Sequence, residues 1–320
     1  MSSETTQPAG SLAADVRDGL TRVPQKELHS RYLYDDIGSS LFEVITLLPE
    51  YGLTRAGQRL LESHTGDLIQ QLDADVIVAE LGSGTGTKTR HVLSALARRA
   101  PTKYFPIDIS ATALARCKLE LEQIEGVRVE PLEHPYLEGL GRAVKRRNTG
   151  TQMLLLFLGS TIGNFERPVA RTFLGKVRIL LQGNDILYLA TDLEKPVPRQ
   201  IAAYDDSIGV TAAFNLNLLA RINRELGADF DLNRFHHVAV YNEEYRRIEM
   251  YLRSTTDQEV TIPGADLTVG FRREETIWTE SSHKFNCEEV VRMAGVAGFR
   301  CTNQWVDEEW PFAQSVLVAE

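Results

Sequence analysis

Glu80 and the three glycines that follow it at alternate positions, Gly82, Gly84 and Gly86, are the residues whose types and spacing point most directly to chemistry. They stand at the end of an apolar run, Val76 to Leu81, that predicts a buried strand, and they lead into a helical pattern from Thr87 through Ala97. Glycine lets the backbone turn sharply and approach a ligand with no Cβ in the way. The helix start then offers unpaired N–H groups to an anionic or polar ligand. The stretch predicts a nucleotide-type cradle at the first strand of an open α/β sheet.

Three ligands compete for that cradle. A dinucleotide loop requires Gly-x-Gly-x-x-Gly, and Thr87 stands where the third glycine belongs. A phosphate-binding loop requires Gly-x-x-x-x-Gly-Lys-Ser/Thr; Lys88-Thr89 fit it, but Thr87 again replaces the glycine. The remaining spacing, Glu80-Leu-Gly82-Ser-Gly84-Thr-Gly86, resembles the S-adenosylmethionine (SAM) site of the class I methyltransferases.

A second polar loop, Gly159-Ser-Thr-Ile-Gly-Asn164, follows the apolar run Met153 to Leu158. In open α/β sheets ligands sit outside the carboxyl ends of the strands, so this loop is a place for catalysis. Asn164 is also a good residue to cap the helix expected over Pro168 to Leu181. Asp108 ends another strand, Lys103 to Asp108, where such folds place a carboxylate on ribose hydroxyls; its plainer role is to cap the helix Ser110 to Glu125.

These residues need elements to position them. Helices are predicted over Leu12–Leu20, from an entry at Gly38-Ser39-Ser40 until Pro49, over Thr54–Leu72, over Pro196–Leu226 as one helical stretch, and over Glu289–Gly298. Further strands are predicted at Val127–Leu132, Asp185–Thr191, Arg247–Ser254, Glu259–Ile262, Leu267–Phe271 and Glu275–Thr279. Arg300–Val306 and Gln314–Ala319 predict a closing hairpin. The first residues, Met1 to Gly10, are rich in Ser, Thr and Gln and predict a disordered start.

At 320 residues the chain suits one large or two ordinary domains, and 43% hydrophobic with 25% charged residues is a soluble globular composition. A net charge of -9 argues against nucleic acid, which demands a basic face; Lys145-Arg146-Arg147 reads as a solvated helix end. No apolar run predicts a membrane span or a signal peptide. Cys117, Cys287 and Cys301 lack metal-ligand spacing and suit a reducing cytoplasm. His236-His237, the one adjacent histidine pair, reads as surface.

Taken together, ordered segments along nearly the whole chain are similar to the histidine-specific Nα-methyltransferases of ergothioneine biosynthesis. The segments are Leu33-Tyr-Asp-Asp-Ile-Gly-Ser-Ser-Leu-Phe42, Leu48-Pro-Glu-Tyr51, Glu80-Leu-Gly-Ser-Gly-Thr85, Phe157-Leu-Gly-Ser-Thr-Ile-Gly-Asn164 and Ala203-Tyr-Asp-Asp206. Gly209-Val-Thr-Ala-Ala-Phe-Asn215, Arg247-Ile-Glu-Met250 and Thr279-Glu-Ser-Ser-His-Lys-Phe285 complete them.

The resemblance implies a class I SAM-dependent methyltransferase fold, Rossmann-like α/β with an open sheet ending in an antiparallel hairpin, plus an α+β substrate-binding domain. That domain would comprise residues 1–56 and 195–284, and the methyltransferase domain 57–194 and 285–320. It implies conversion of L-histidine to its trimethylated betaine, hercynine, with S-adenosyl-L-homocysteine (SAH) as co-product and no metal. Tyr51, Asn164 and Tyr204 match positions that hold the amino acid's amine and carboxylate, and Tyr34 stands at a tyrosine position near the amine. Glu280 and Ser282 match the imidazole-reading pair, and Met250 a residue beside the ring. Tyr34, Tyr51, Asn164 and the Gly159 carbonyl are the expected catalytic set, while Glu80, Gly82, Ser83, Gly84, Lys88, Asp108 and Tyr136 are expected at the cofactor.

Two departures stand out. Glu50-Tyr51 is followed by Gly52-Leu-Thr-Arg55, where the family commonly has Tyr-Pro-Thr-Arg, and Pro135 occupies the place of an acid that reads adenine. A monomeric cytoplasmic enzyme acting on a small molecule is expected. Another amino acid such as tryptophan, or a nucleotide-binding role, are the alternatives.

Overall fold

The computed structural model describes residues 11–320, so the expectation of disorder over Met1 to Gly10 lies outside the described residues. The chain divides into two compact units: one runs up to Gly52 and resumes over Lys195–His283, the other comprises Leu53–Glu194 and Lys284–Glu320.

The second unit is built on a mixed sheet. Its strand order is Phe299–Val306, Phe312–Ala319, Ile186–Asp192, Gln152–Phe157, Val76–Leu81, Thr102–Asp108 and Val127–Val129, with Leu132–Glu133 also pairing to Thr102–Asp108. The strands from Ile186–Asp192 onward in that order run parallel, and Phe312–Ala319 and Phe299–Val306 add an antiparallel hairpin at the other edge. This is the class I SAM-dependent methyltransferase arrangement. Val76–Leu81 and Gln152–Phe157 are buried along their whole length, because helices cover both faces of a parallel sheet. Leu81, Ile107, Leu155, Phe157, Phe173 and Leu189 belong to one continuous core.

Three local expectations change in this unit. The strand predicted over Val127–Leu132 is broken into Val127–Val129 and Leu132–Glu133. The helix after the glycines begins at Arg90, because Thr87-Lys88-Thr89 form a turn and the Thr89 side chain is used elsewhere. Arg147 is no solvated helix end: its guanidinium pairs with Asp185 at 2.6 Å, both side chains 3% exposed. Asp185 in turn accepts backbone N–H bonds from Met153 and Gln182.

The first unit carries a four-stranded sheet ordered Lys26–Glu27, Thr276–His283, Arg247–Ser254 and Phe235–Asn242, and a separate hairpin of Gln258–Ile262 with Leu267–Phe271. The strand Phe235–Asn242 has no counterpart in the sequence reading. The stretch Pro196–Leu226 is two helices, Val197–Ala202 and Val210–Leu226, parted by a loop at Tyr204-Asp205-Asp206. Gly209, at φ 81°, makes the break, and the Asp206 carboxylate starts the second helix by accepting from the N–H groups of Val210 and Thr211. The helix Asp36–Ile45 is capped by Asp35, which accepts from Gly38 N and from Asn217 Nδ2, each at 2.7 Å. Among the described residues no helix is long and apolar enough to cross a membrane.

Candidate functional site

In the second unit the glycine loop folds over the carboxyl end of Val76–Leu81. Gly82, Gly84 and Gly86 all have positive φ (68°, 52° and 73°), which a side chain would resist. The loop is tied to the neighbouring strand end: Gly82 N donates to Ile107 O at 2.8 Å, and Gly84 N to Asp108 Oδ2 at 3.0 Å. Asp108 Oδ1 accepts from Ser110 N, while Ser110 itself caps the next helix. Asp108 therefore sits between the loop and that helix start.

Glu80 is 3% exposed. Thr89 Oγ1 donates to its Oε2 at 2.5 Å, and the Tyr104 hydroxyl donates to the same oxygen. Oε1 receives no hydrogen bond among the described residues. Burial pushes the carboxyl up to about 7, against the pull of the Thr89 and Tyr104 bonds and the Lys88 charge. Lys88 is half-buried, and burial lowers its ammonium below the usual range despite Glu80 nearby. Its Nζ makes no hydrogen bond or ion pair among the described residues and lies 3.6 Å from where a Cβ on Gly159 would stand.

A carboxylate oxygen and an ammonium with bonding capacity to spare suit a zwitterionic amino-acid group, which presents an ammonium and a carboxylate in return. The methionine half of SAM is such a group, so these residues fit the cofactor. The Tyr136 hydroxyl lies 3.2 Å from a Cβ built on Gly82, and its ring packs edge-on against Phe157. Ser83 is buried in the same loop. Pro135 starts the helix Tyr136–Lys145 and has no polar side chain to read adenine; Glu133 is exposed nearby in sequence. Ile109, absent from the sequence-based set, follows Asp108 and is 52% exposed, leaving an apolar side chain next to the loop-tying acid. The signal for it was its place directly after that acid.

The loop after Gln152–Phe157 holds Gly159 (φ 76°) and Ser160 (φ 61°), then a 3-10 turn Thr161–Asn164. Ser160 Oγ accepts from Asp192 N at 2.8 Å, which pins the loop to the adjacent strand. Asn164 is not the cap of the following helix, Arg167–Leu180, whose N-cap is Glu166; that plainer explanation of Asn164 is removed.

In the first unit Glu280 and Ser282 lie within the strand Thr276–His283, not at a strand end, and they are 8% and 4% exposed. Alternate residues share a strand face, so their side chains leave the same side. Met250 stands directly across from Glu280 and Ile248 from Ser282. The Tyr204 hydroxyl meets Ser282 Oγ at 2.7 Å. Tyr204 packs edge-on to Tyr51 with ring centroids 6.3 Å apart, Tyr51 to Phe42 at 6.1 Å, and Phe42 to Tyr34 at 5.6 Å. Phe214 closes the group, 5.5 Å from Tyr34. The structure thus brings Tyr34, Tyr51, Tyr204, Met250, Glu280 and Ser282 into one neighbourhood of the first unit. Glu80, Gly82, Ser83, Gly84, Lys88, Asp108, Tyr136, Gly159 and Asn164 belong to the second.

His237 is not a surface residue. It is half-buried, with Nδ1 2.9 Å from Asn215 Nδ2 and Nε2 2.8 Å from the backbone oxygen of Tyr204. Only His236 of the pair is exposed. Among the described residues no cluster of three or more His, Cys, Asp or Glu could hold a metal ion.

The chain matches known proteins over nearly all its length. A family model described as histidine-specific, SAM-dependent methyltransferase covers residues 12–319. The histidine N-alpha-methyltransferase of Mycolicibacterium smegmatis is 42% identical over 315 residues, covering 97% of this chain and 95% of its own. The protein of the same name from Mycobacterium tuberculosis is 40% identical, with 97% and 96% covered. The ergothioneine biosynthesis protein 1 of Neurospora crassa is 30% identical over 88% of this chain, which spans 32% of that longer protein.

Proposed function

This chain belongs to the family of SAM-dependent histidine-specific methyltransferases, and on that premise we propose that it methylates the α-amine of L-histidine up to three times. The product is hercynine, the co-product is SAH, and the pathway is ergothioneine biosynthesis, as the names of the relatives support.

The observation that carries the substrate assignment is the buried pair Glu280 and Ser282 on one strand face, with Tyr204 bonded to Ser282. Neutral imidazole has one donor and one acceptor nitrogen. The Glu280 carboxylate accepts from the donor. The Ser282 hydroxyl, 2.7 Å from that of Tyr204, is of a kind that can donate to the other nitrogen. An indole has a donor and no acceptor, so tryptophan offers a serine hydroxyl nothing to donate to.

When bound, the cofactor supplies a methyl group made electrophilic by its sulfonium. What remains for the chain is to hold and orient the acceptor and exclude water. Tyr51, Tyr204 and Asn164 hold the amine and carboxylate of the amino acid, and Tyr34 stands with the amine. The Gly159 carbonyl accepts a hydrogen bond from the amine and helps to aim its lone pair. An α-amino group titrates at roughly 7.7–8.0 in peptides, so no strong base is needed to free that lone pair. The amine proton leaves to solvent through water held by these hydroxyls. Three free thiols, Cys117, Cys287 and Cys301, support a reducing compartment such as the cytoplasm.

The test is incubation of the purified protein with SAM and the twenty amino acids, read by mass spectrometry. Histidine gaining one, two and three methyl groups is the expected result. Methylation of a different amino acid would overturn the substrate, and no methylated product would overturn the activity.

A further inference from the structure

Tyr204 sits in the loop between Val197–Ala202 and Val210–Leu226, and a loop residue that must meet Ser282 and a substrate needs its backbone held. Its carbonyl oxygen is held by His237 Nε2 at 2.8 Å, from the strand Phe235–Asn242. The tautomer follows from the other ring nitrogen. Asn215 Nδ2 lies 3.1 Å from the backbone oxygen of Tyr251, which can only accept, so the amide N–H₂ faces that oxygen and also His237 Nδ1 at 2.9 Å. Nδ1 must therefore accept, and the proton is on Nε2, where it donates to Tyr204. The amide orientation leaves Asn215 Oδ1 buried without a hydrogen-bond partner. A side chain serving packing alone has no need of that arrangement.

We propose that His237, fixed as its neutral Nε2–H tautomer by Asn215, is a positioning residue that holds Tyr204 in place for Ser282 and the amino-acid substrate. The inference rests on the reading of Tyr204 as a substrate-holding residue. Burial lowers the His237 pKa, against the pull of its bond to Tyr204 and of Asp205 and Asp206, the charged groups that face it, which agrees with a neutral ring.

The experiment compares His237→Leu and His237→Gln in the full-length protein, measuring KM for histidine, kcat at saturation and the Kd of SAH. Glutamine carries one donor and one acceptor and can serve both Tyr204 O and Asn215 Nδ2. With His237→Leu, KM for histidine should rise about tenfold, the scale of one lost buried hydrogen bond, with the Kd of SAH unchanged. His237→Gln should stay within about twofold of the parent by the same measure. An unchanged KM in His237→Leu, or equal losses in both variants with SAH binding intact, overturns the proposal. If His237→Leu does not fold, nitrogen NMR of histidine-labelled parent protein decides: the Nε2–H tautomer supports the proposal, and an Nδ1–H ring or an imidazolium at pH 7.5 overturns it (the pH being about one unit above an ordinary histidine). A parent protein that leaves histidine unmethylated overturns the functional reading itself, and with it the link from His237 to KM.

Discussion

The Tyr104 hydroxyl donates to Glu80 Oε2 from the neighbouring strand, with Tyr104 fully buried and Glu80 3% exposed. Thr89 reaches the same oxygen, so two donors turn the carboxylate and leave Oε1 for a ligand. Both bonds stabilise the ionised form, and burial opposes them to bring the group to about 7. Removing the hydroxyl with Tyr104→Phe pushes Glu80 higher still, so more of it is protonated at neutral pH. SAH affinity should then fall about tenfold at pH 7 and recover most of that loss near pH 8.5, where the carboxylate ionises again. Calorimetric titration of SAH at the two pH values checks this. An equal deficit at both would show that Tyr104 acts through packing alone.

Glu80 also makes a stability prediction. Its pKa in the folded protein is raised from 4.5 to about 7, so the folded state favours the neutral form. The stabilisation is fully present below the unfolded value near 4.5 and is lost as pH rises through about 7. Glu80→Gln stays neutral and its carbonyl still accepts from Thr89 and Tyr104. At pH 8 the variant without ligand should be more stable than its parent by about 1 to 3 kcal/mol, the advantage vanishing by about pH 4.5. SAH binding should be lost in the same variant. Urea unfolding across pH reads the first effect, and a parent that is the more stable protein at pH 8 would refute it.

Glu166 is the cap of the helix Arg167–Leu180, so capping does not explain Asn164. As an amine-holding residue it should matter to turnover and little to the cofactor. Asn164→Ala is expected to lower kcat by about a hundredfold, the scale of a lost orienting contact, with SAH affinity within about twofold of the parent. Single-turnover rates with histidine and a separate SAH titration measure the two. Full turnover would remove Asn164 from the catalytic set.

Glu280 should decide selectivity. Glu280→Leu removes the acceptor for the imidazole N–H inside a buried strand face, so kcat/KM for histidine is expected to fall by about a hundredfold or more. The Kd of SAH should not change. Competition between histidine and other amino acids at equal concentration, followed by methyl transfer, gives the ratio directly. A variant that still prefers histidine by the parent's margin would move imidazole recognition elsewhere.

The glycine cradle was legible because its signals are local: an apolar run, an acid and three glycines within a few residues. The pair Glu280 and Ser282 was legible only through the resemblance, since nothing in Thr-Glu-Ser-Ser-His marks a strand interior over a strand end. Thr89 and Tyr104 were missed because their value lies in meeting Glu80, a tertiary fact. His237 was misread for the same reason: Phe235–Asn242 has no clean alternation, and it becomes a strand by pairing with Arg247–Ser254. The break in Pro196–Leu226 did carry a signal, Gly209, inside an otherwise helical pattern.

Arg147 shows the cost of reading charge runs as solvated. It follows Lys145 and Arg146 in a basic triplet, yet it is the one whose side chain is buried, against Asp185 at the start of a central strand. Asp185 holds Met153 N at 2.8 Å and Gln182 N at 2.7 Å, so it ties the strand Gln152–Phe157 to the loop that enters Ile186–Asp192. Truncating the cation leaves that carboxylate buried beside two N–H groups with no compensating charge. Arg147→Ala should cost about 3 to 5 kcal/mol of stability, whereas Arg146→Ala, on the exposed neighbour, should cost under about 0.5 kcal/mol. Urea unfolding of the two variants measures the difference. Equal and small losses would show that Asp185 is satisfied by its backbone donors alone, and that the ion pair contributes no net stability to the sheet.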